Sequence, residues 1–214
     1  MFVARDTDGT LVWADEANKQ TNYFCPVCSG KLILRAGEVN AHHFAHEAGA
    51  CPDHWHYDMS DWHKTMQEQF PIECREVVMK HNGEIHRADV FKDGVVVEFQ
   101  HSPITPQEFR ERNTFYNTIG YKVAWVFDVS DKGIVPTIGK DGLPDYFHLY
   151  WERPLSVLRF GPVPQQDSVN AWVSICFYFG TIETGEDKPE YAIRRVNWSH
   201  VDRMSWNRHT NTLT

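Results

Sequence analysis

Positive charge is in deficit in this chain of 214 residues: 21 Lys and Arg stand against 29 Asp and Glu, a formal net charge of −8. That sign excludes a protein that coats nucleic acid by bulk electrostatics. It does not exclude an enzyme that gathers a divalent cation with carboxylates. No apolar run approaches the roughly eighteen residues a bilayer crossing takes, so no membrane span is expected. The opening Met1-Phe2-Val3-Ala4-Arg5-Asp6 lacks the apolar core of a secretory signal. A cytoplasmic protein is therefore expected. Repeats and low-complexity tracts are missing, and the 42% hydrophobic content is that of an ordinary globular chain.

Cysteine is scarce and odd in number, five in all. Three of the five, Cys25, Cys28 and Cys51, share one short region with several histidines. Where thiols stay reduced, such a cluster points to metal more than to disulfides. Aromatics are plentiful at 14%. They serve either as core and packing side chains or as base-stacking platforms on single-stranded nucleic acid. The charge deficit is uneven, −4 over residues 1–58, −3 over 59–135 and −1 over 136–214. In the last third Arg194, Arg195, Arg203 and Arg208 lie close together, as a solvated surface or a phosphate-contacting face.

The chain predicts one or two strands over residues 1–12, a strand over 31–35 with a turn at Ala36-Gly37-Glu38, and a helix over 58–70 capped by Asp58 or Ser60 and stopped by Pro71. Strands over 73–80, 85–91 and 95–100 follow. They are joined by the turn signals His81-Asn82-Gly83 and Lys92-Asp93-Gly94 into an antiparallel meander. Thr105-Pro106-Gln107-Glu108 is a capping box with proline at the first helical position. Its helix should run to Ile119 and stop at Gly120. A buried strand over 122–127 then implies a crossover returning parallel to the third strand. Residues 131–165 read as loops, 171–179 as a strand, and the end from Trp206 as frayed. The expected fold is α/β (α+β), a mixed sheet with flanking helices and a small zinc-binding module in front. The expected division is 1–57 for the module, 58–135 for a core and 136–214 for an extension packed on it.

Cys25-Pro26-Val27-Cys28 offers two thiolates from one tight turn, and His43-Phe44-Ala45-His46 offers two imidazoles. Four such ligands suit tetrahedral zinc, and a full set with no open position makes the ion structural. Cys51 can replace one histidine, and His42, His54 and His56 are further candidates. The module's role is either purely architectural or DNA-contacting.

A second constellation is acidic. Glu98 and Gln100 alternate onto one face of their strand. Pairing across the Lys92-Asp93-Gly94 turn brings Asp89 beside Glu98. Two converging carboxylates make an oxygen-rich site for Mg²⁺ or Mn²⁺, and such a site can support phosphodiester hydrolysis. Gln100 can orient water or phosphate there but cannot act as a charged base. An exposed strand with solvated acids would show the same spacing. The apolar run Val95-Val96-Val97 argues for burial instead, where a charge needs a partner or an ion. Arg110 and Arg112 on the following helix are placed for phosphate, and His63 on the preceding helix can reach the acids.

Together, Phe24-Cys25-Pro26-x-Cys28 with His43-Phe44-Ala45-His46 resembles the N-terminal part of competence protein CoiA and its relatives. Ser60-Asp61-Trp62-His63, Ala88-Asp89-Val90, Glu98-Phe99-Gln100-His101-Ser102 and Arg112-x-x-Phe115-Tyr116 resemble the CoiA-type nuclease domain of the PD-(D/E)XK superfamily, whose core is restriction-endonuclease-like. The resemblance covers about residues 23–128. It implies that Asp89 and Glu98 bind the metal, that Gln100 stands where the superfamily usually has Lys, and that His63 completes the site. Gln67 is a second departure, at a position where relatives often carry Lys. The implied activity is a DNA nuclease with catalytic Mg²⁺ or Mn²⁺ and structural Zn²⁺. Ser102, Arg110, Arg112 and Tyr116 would be its substrate-binding residues. The competing readings are a catalytically weak nucleic-acid-binding module, or an interaction protein that meets a protein partner through its zinc module or its C-terminal segment.

Overall fold

The computed structural model describes residues 1–131 apart from 39–40, 50, 54 and 56–59, then 133–138, 140, 144–150, 173–182, 190–196, 206–207 and 212–213. His54, His56, Asp58, Arg203 and Arg208 lie outside the described residues, as do the side chains of Arg194 and Arg195. The fold is mixed α+β. The chain divides into two compact units, Met1–His101 and Ser102–Thr214.

The first unit begins with five short strands: β1 (Val3–Arg5), β2 (Leu11–Trp13), β3 (Tyr23–Phe24), β4 (Lys31–Arg35) and β5 (His43–His46). They pair antiparallel in the order β2-β1-β3-β4-β5. One face buries Ala4, Ala14, Tyr23, Cys25, Val27, Leu32 and Phe44. Alternation explains the choice, since Leu32 pairs with His46 and Leu34 with Phe44, which puts these four side chains on one side. So thin a layer buries little apolar area, and this is where a metal cross-link stabilises most.

Helix α1 (Asp61–Glu68) follows. Ser60 caps it by accepting the His63 N–H at 3.2 Å on its hydroxyl. His63, Met66 and Gln67 form its buried face at helical spacing. Arg75 closes the other end, donating to the carbonyls of Phe70 at 2.7 Å and Glu68 at 3.2 Å. Its guanidinium lies 4.5 Å over the Trp13 ring. A 3-10 turn at Ile72–Cys74 delays the expected strand by two residues.

The meander then forms as the turn signals predict. Strands β6 (Arg75–His81), β7 (Glu84–Lys92) and β8 (Val95–Gln100) pair antiparallel. Asn82 and Gly83 have φ of 48° and 85°, and Asp93 and Gly94 have φ of 50° and 77°. Both turns thus place two left-handed residues in a row, the hand that matches strand twist.

The second unit opens with α2 (Pro106–Ile119), capped by Thr105 and ended by Gly120 at φ 96°. Strand β9 (Lys122–Asp128) packs against it. Phe109 meets Trp125 at 4.8 Å between ring centroids, and Trp125 Nε1 donates to Asn113 Oδ1 at 2.9 Å. Residues expected as loops contain a hairpin, β10 (Gly133–Ile138) with β11 (Pro144–Tyr150). Its glycines and prolines masked the strand pattern. Strand β12 (Val173–Ile182) runs parallel to β9 and antiparallel to β13 (Glu190–Val196). The segment expected to fray instead contains β14 (Trp206–Asn207) paired with β15 (Thr212–Leu213).

Candidate functional site

The cysteine turn is built by its own backbone. Cys25 N–H donates to the Gly30 carbonyl and Ser29 N–H to the Cys25 carbonyl, both at 2.9 Å. The N–H groups of Val27 and Gly30 point at the sulfurs of Cys25 and Cys28, 3.4 Å away in each case. Such donors stabilise thiolates. His46 reaches in from β5 with Nε2 3.3 Å from Cys28 Sγ. The donor atoms of Cys25, Cys28, His46 and Cys51 all lie within 4.8 Å of one another. Zinc bonded to sulfur at about 2.3 Å separates two tetrahedral sulfurs by about 3.8 Å, so the cluster needs only a small contraction to close on the ion. A Cβ at Gly30 would stand 3.2 Å from Cys28 Sγ and 3.5 Å from His46 Cδ2, so the cradle wants glycine here. The chemistry of the set, three sulfurs and one imidazole, fits zinc.

Burial, and then the nearby Met1 ammonium and Arg87 guanidinium, hold the His46 ring below its ordinary pKa, in the neutral form a metal ligand needs. Burial raises the Cys25 thiol, and it pushes Cys51 up to about 12 with the neighbouring Cys25 and Cys28 adding to the rise. Without an ion Cys25 and Cys51 are therefore neutral thiols.

The expected ligand His43 is not in this cluster. On β5 it sits three residues from His46, so the two rings leave opposite faces of the strand. His43 Nδ1 is 2.8 Å from the Ala41 carbonyl, and the ring lines an open groove with Lys19, Leu34 and Arg35. Cys51 takes its place. His42 is elsewhere too, 3.2 Å from Asp15.

The acidic constellation lies farther along the same unit. Strands β7 and β8 pair from Lys92–Val95 to Val90–Val97, and continuing that register one step would set Asp89 across from Glu98, on the same face by alternation. Both carboxylates are buried, Asp89 at 2% exposure and Glu98 at 0%, and Gln100 is at 9%. Asp89 Oδ2 accepts the Phe99 N–H at 2.8 Å. Its Oδ1 is 3.0 Å from His63 Nε2 on α1. The helix thus meets the acid strand through His63, with Trp62, His63 and Phe70 grouped around the Phe99 ring. Two buried acids on neighbouring strands, one of them held by an imidazole and a backbone N–H, suit a hard cation.

A family model described as the CoiA N-terminal domain matches residues 12–54, and one described as the CoiA nuclease-like domain matches residues 57–133. The two matches run nearly end to end and together span more than half of the chain. The chain belongs to the CoiA family. No curated protein and no solved structure matches it.

In this CoiA-family chain the other expected site residues lie in the second unit. Ser102 is half-buried just before α2, and Arg110 is exposed on it. Arg112 is buried, bonded to Glu108 at 2.6 Å, with its guanidinium 5.9 Å from the Trp125 ring centre. Tyr116 is fully buried and meets Phe115 edge-on. Among the described residues no helix is long and apolar enough to cross a membrane.

Sequence reading did not single out three polar residues that tie the CoiA-type module to the acid-bearing strands. Glu76 accepts the N–H groups of Phe2 and Val3, each at 2.9 Å. Asp53 holds His86 Nδ1 at 3.2 Å, and Trp55 stacks on the His86 ring at 3.4 Å between centroids. No sequence spacing signals these contacts, because they join segments that are far apart in the chain.

Proposed function

We propose that this CoiA-family protein is a divalent-metal-dependent nuclease of the PD-(D/E)XK type that hydrolyses phosphodiester bonds in DNA, with a structural zinc ion in its N-terminal module. The carrying observation is the burial of both Asp89 and Glu98 on neighbouring strands, with His63 3.0 Å from Asp89. Burying two carboxylates in this way is costly unless a cation is part of the site. The nuclease-like family match over residues 57–133 supports the same reading. The cluster of reduced cysteines suits a protein working in the cytoplasm.

In this reading Asp89 and Glu98 hold Mg²⁺ or Mn²⁺. The ion supplies charge neutralisation at the phosphate and acidifies water. Asp89 is fixed at both oxygens, by the Phe99 N–H and by His63. His63 orients the carboxylate. The Gln100 amide, on the Glu98 side of β8, orients water or phosphate by hydrogen bonding. Of the residues expected to bind substrate, half-buried Ser102 and exposed Arg110 keep that role, whereas Arg112 and Tyr116 are buried, Arg112 against Glu108, and serve the packing of α2 instead. DNA uptake, recombination, and phage-related defence or counter-defence are the processes in which such an activity would serve.

The test is cleavage of circular and linear DNA by the zinc-loaded protein, with and without Mn²⁺, beside Asp89→Asn and Glu98→Gln. Cleavage that needs Mn²⁺, disappears with EDTA and is lost in both variants supports the proposal. Full activity in either variant overturns the assignment. The neutral Gln100, in place of a charged amine, favours a second reading: a nucleic-acid-binding protein that keeps the fold with weak catalysis. Salt-sensitive DNA binding without cleavage would mark it.

A further inference from the structure

Gln67 is fully buried, at 0% exposure, and among the described residues neither its amide oxygen nor its amide nitrogen has a hydrogen-bond partner. A primary amide brings an acceptor and two donors, and leaving them unmet in an apolar interior costs about 1–3 kcal/mol. Buried polar groups without protein partners commonly bond to ordered water. The position of Gln67 says which water. It follows His63 by one helical turn on the buried face of α1. Side chains four apart on a helix are neighbours, about 6 Å between Cβ atoms. Long helical side chains lean toward the N-terminus, over the residue four earlier. The Gln67 amide therefore leans toward the His63 ring, whose Nε2 is 3.0 Å from Asp89. Buried His63, one turn before Gln67, and half-buried Phe70, three residues after it, both pack on Phe99.

We infer that the Gln67 amide is a further positioning group of this site, holding a buried water that links α1 to the Asp89–Glu98 pair and so sets the pair's grip on a divalent cation. The inference rests on the nuclease reading of those two acids. Groups one step behind metal-binding carboxylates govern affinity by about 10–100-fold, so a comparable effect is expected from Gln67.

Two substitutions separate this role from a packing role. Gln67→Met keeps the length and removes the hydrogen bonds. Gln67→Glu keeps an oxygen acceptor but buries a charge. If Gln67 only fills space, Met is the better substitute and Glu the worse. If it holds water for the acids, the order reverses. The measurements are calorimetric titration of Mn²⁺ into zinc-loaded protein and thermal unfolding without Mn²⁺, for wild type, both variants and Glu98→Gln. The expected result is that Gln67→Met unfolds at the same or a higher temperature yet binds Mn²⁺ at least about tenfold more weakly, while Gln67→Glu binds it within a fewfold of wild type. Wild-type affinity in Gln67→Met, with Glu98→Gln defective, overturns the role of Gln67 and leaves the acid pair standing. Equal Mn²⁺ binding by wild type and Glu98→Gln overturns the acid-pair reading and this inference with it.

Discussion

His43 and His46 share a four-residue strand and point to opposite sides of it, His43 toward the Ala41 carbonyl and His46 to within 3.3 Å of the Cys28 sulfur. A strand alternates with a period of two, so a spacing of three cannot bring both rings to one ion. The two histidines should then behave differently. His46→Ala should lose the zinc or bind it so weakly that a mild chelator strips it. His43→Ala should keep one zinc per chain. Metal analysis after dialysis decides between them, and zinc loss in His43→Ala would contradict the ligand set.

This pair also shows where the sequence was legible. Cys25-x-x-Cys28 is a local signal, because the tight turn is encoded in four residues, and the hairpin turns at Asn82-Gly83 and Asp93-Gly94 are equally local. The helix caps at Ser60 and Thr105 and the stop at Gly120 were readable for the same reason. The fourth ligand was not, since choosing Cys51 over His43 requires knowing that residues 43–46 form a strand. The Asp89–His63 contact joins segments 26 positions apart, and the sequence could place His63 only within reach of the acids, not on Asp89. The β10–β11 hairpin was hidden because Pro136 and Pro144 sit inside strands that are read as loops from composition alone.

The metal-free module should be sensitive to alkali. Cys51 titrates at about 12 in the folded protein, against an ordinary 9.0, and Cys25 is also raised. Between pH 9 and 12 the unfolded chain therefore gives up thiol protons that the folded chain retains. The unfolded state binds fewer protons there, so stability falls as pH rises through that window and is flat below it. Zinc removes the effect, because the ligands are then thiolates at every pH of the range. Denaturation followed from pH 8 to 11, with and without zinc, should show the fall only in the metal-free protein. A parallel decline in both forms would count against the cluster as the origin.

Zinc uptake should also release protons. Neutral Cys25 and Cys51 must ionise to bind. Titration of zinc at neutral pH in two buffers of different ionisation enthalpy should give heats that differ in proportion to more than one proton per zinc. Heats that do not depend on buffer would mean that the thiols were already ionised.

Glu76 should matter far more than a surface acid. Its carboxylate is buried and accepts the N–H groups of Phe2 and Val3 at 2.9 Å each, with Arg87 Nε 3.9 Å away. It also holds a φ of 46°, a conformation uncommon for glutamate. Glu76→Ala leaves two buried donors without their acceptor and removes the carboxylate 3.9 Å from Arg87 Nε. The expected loss is about 2–6 kcal/mol, taking about 1–3 kcal/mol for each of the two unmet donors. Glu76→Gln keeps one amide oxygen as acceptor and should lose less. Chemical denaturation of the zinc-loaded protein measures both, and a loss below about 1 kcal/mol for the alanine variant would show that the strand finds other partners.

Asp53 and His86 clasp the zinc-ligand loop to the acid-bearing strand. Asp53 lies two residues after Cys51, and His86 lies on β7 three residues before Asp89. Their contact at 3.2 Å is buried on both sides and covered by the Trp55 ring, parallel to the imidazole within 6°. His86→Leu keeps an apolar surface beneath Trp55 but takes the imidazole away from the buried carboxylate. Breaking a buried pair by removing one partner is costly, and part of the ring stacking goes with it, so a loss of about 2–4 kcal/mol is expected. Because Asp53 is tied to the Cys51 loop, the same change should loosen one arm of the metal cluster. Zinc should pass to a chromogenic chelator several-fold faster from His86→Leu than from wild type. Asp53→Asn retains a hydrogen-bonding oxygen next to His86 and should release zinc at an intermediate rate. If all three proteins release zinc equally fast, the clasp stabilises the fold without reaching the metal cluster.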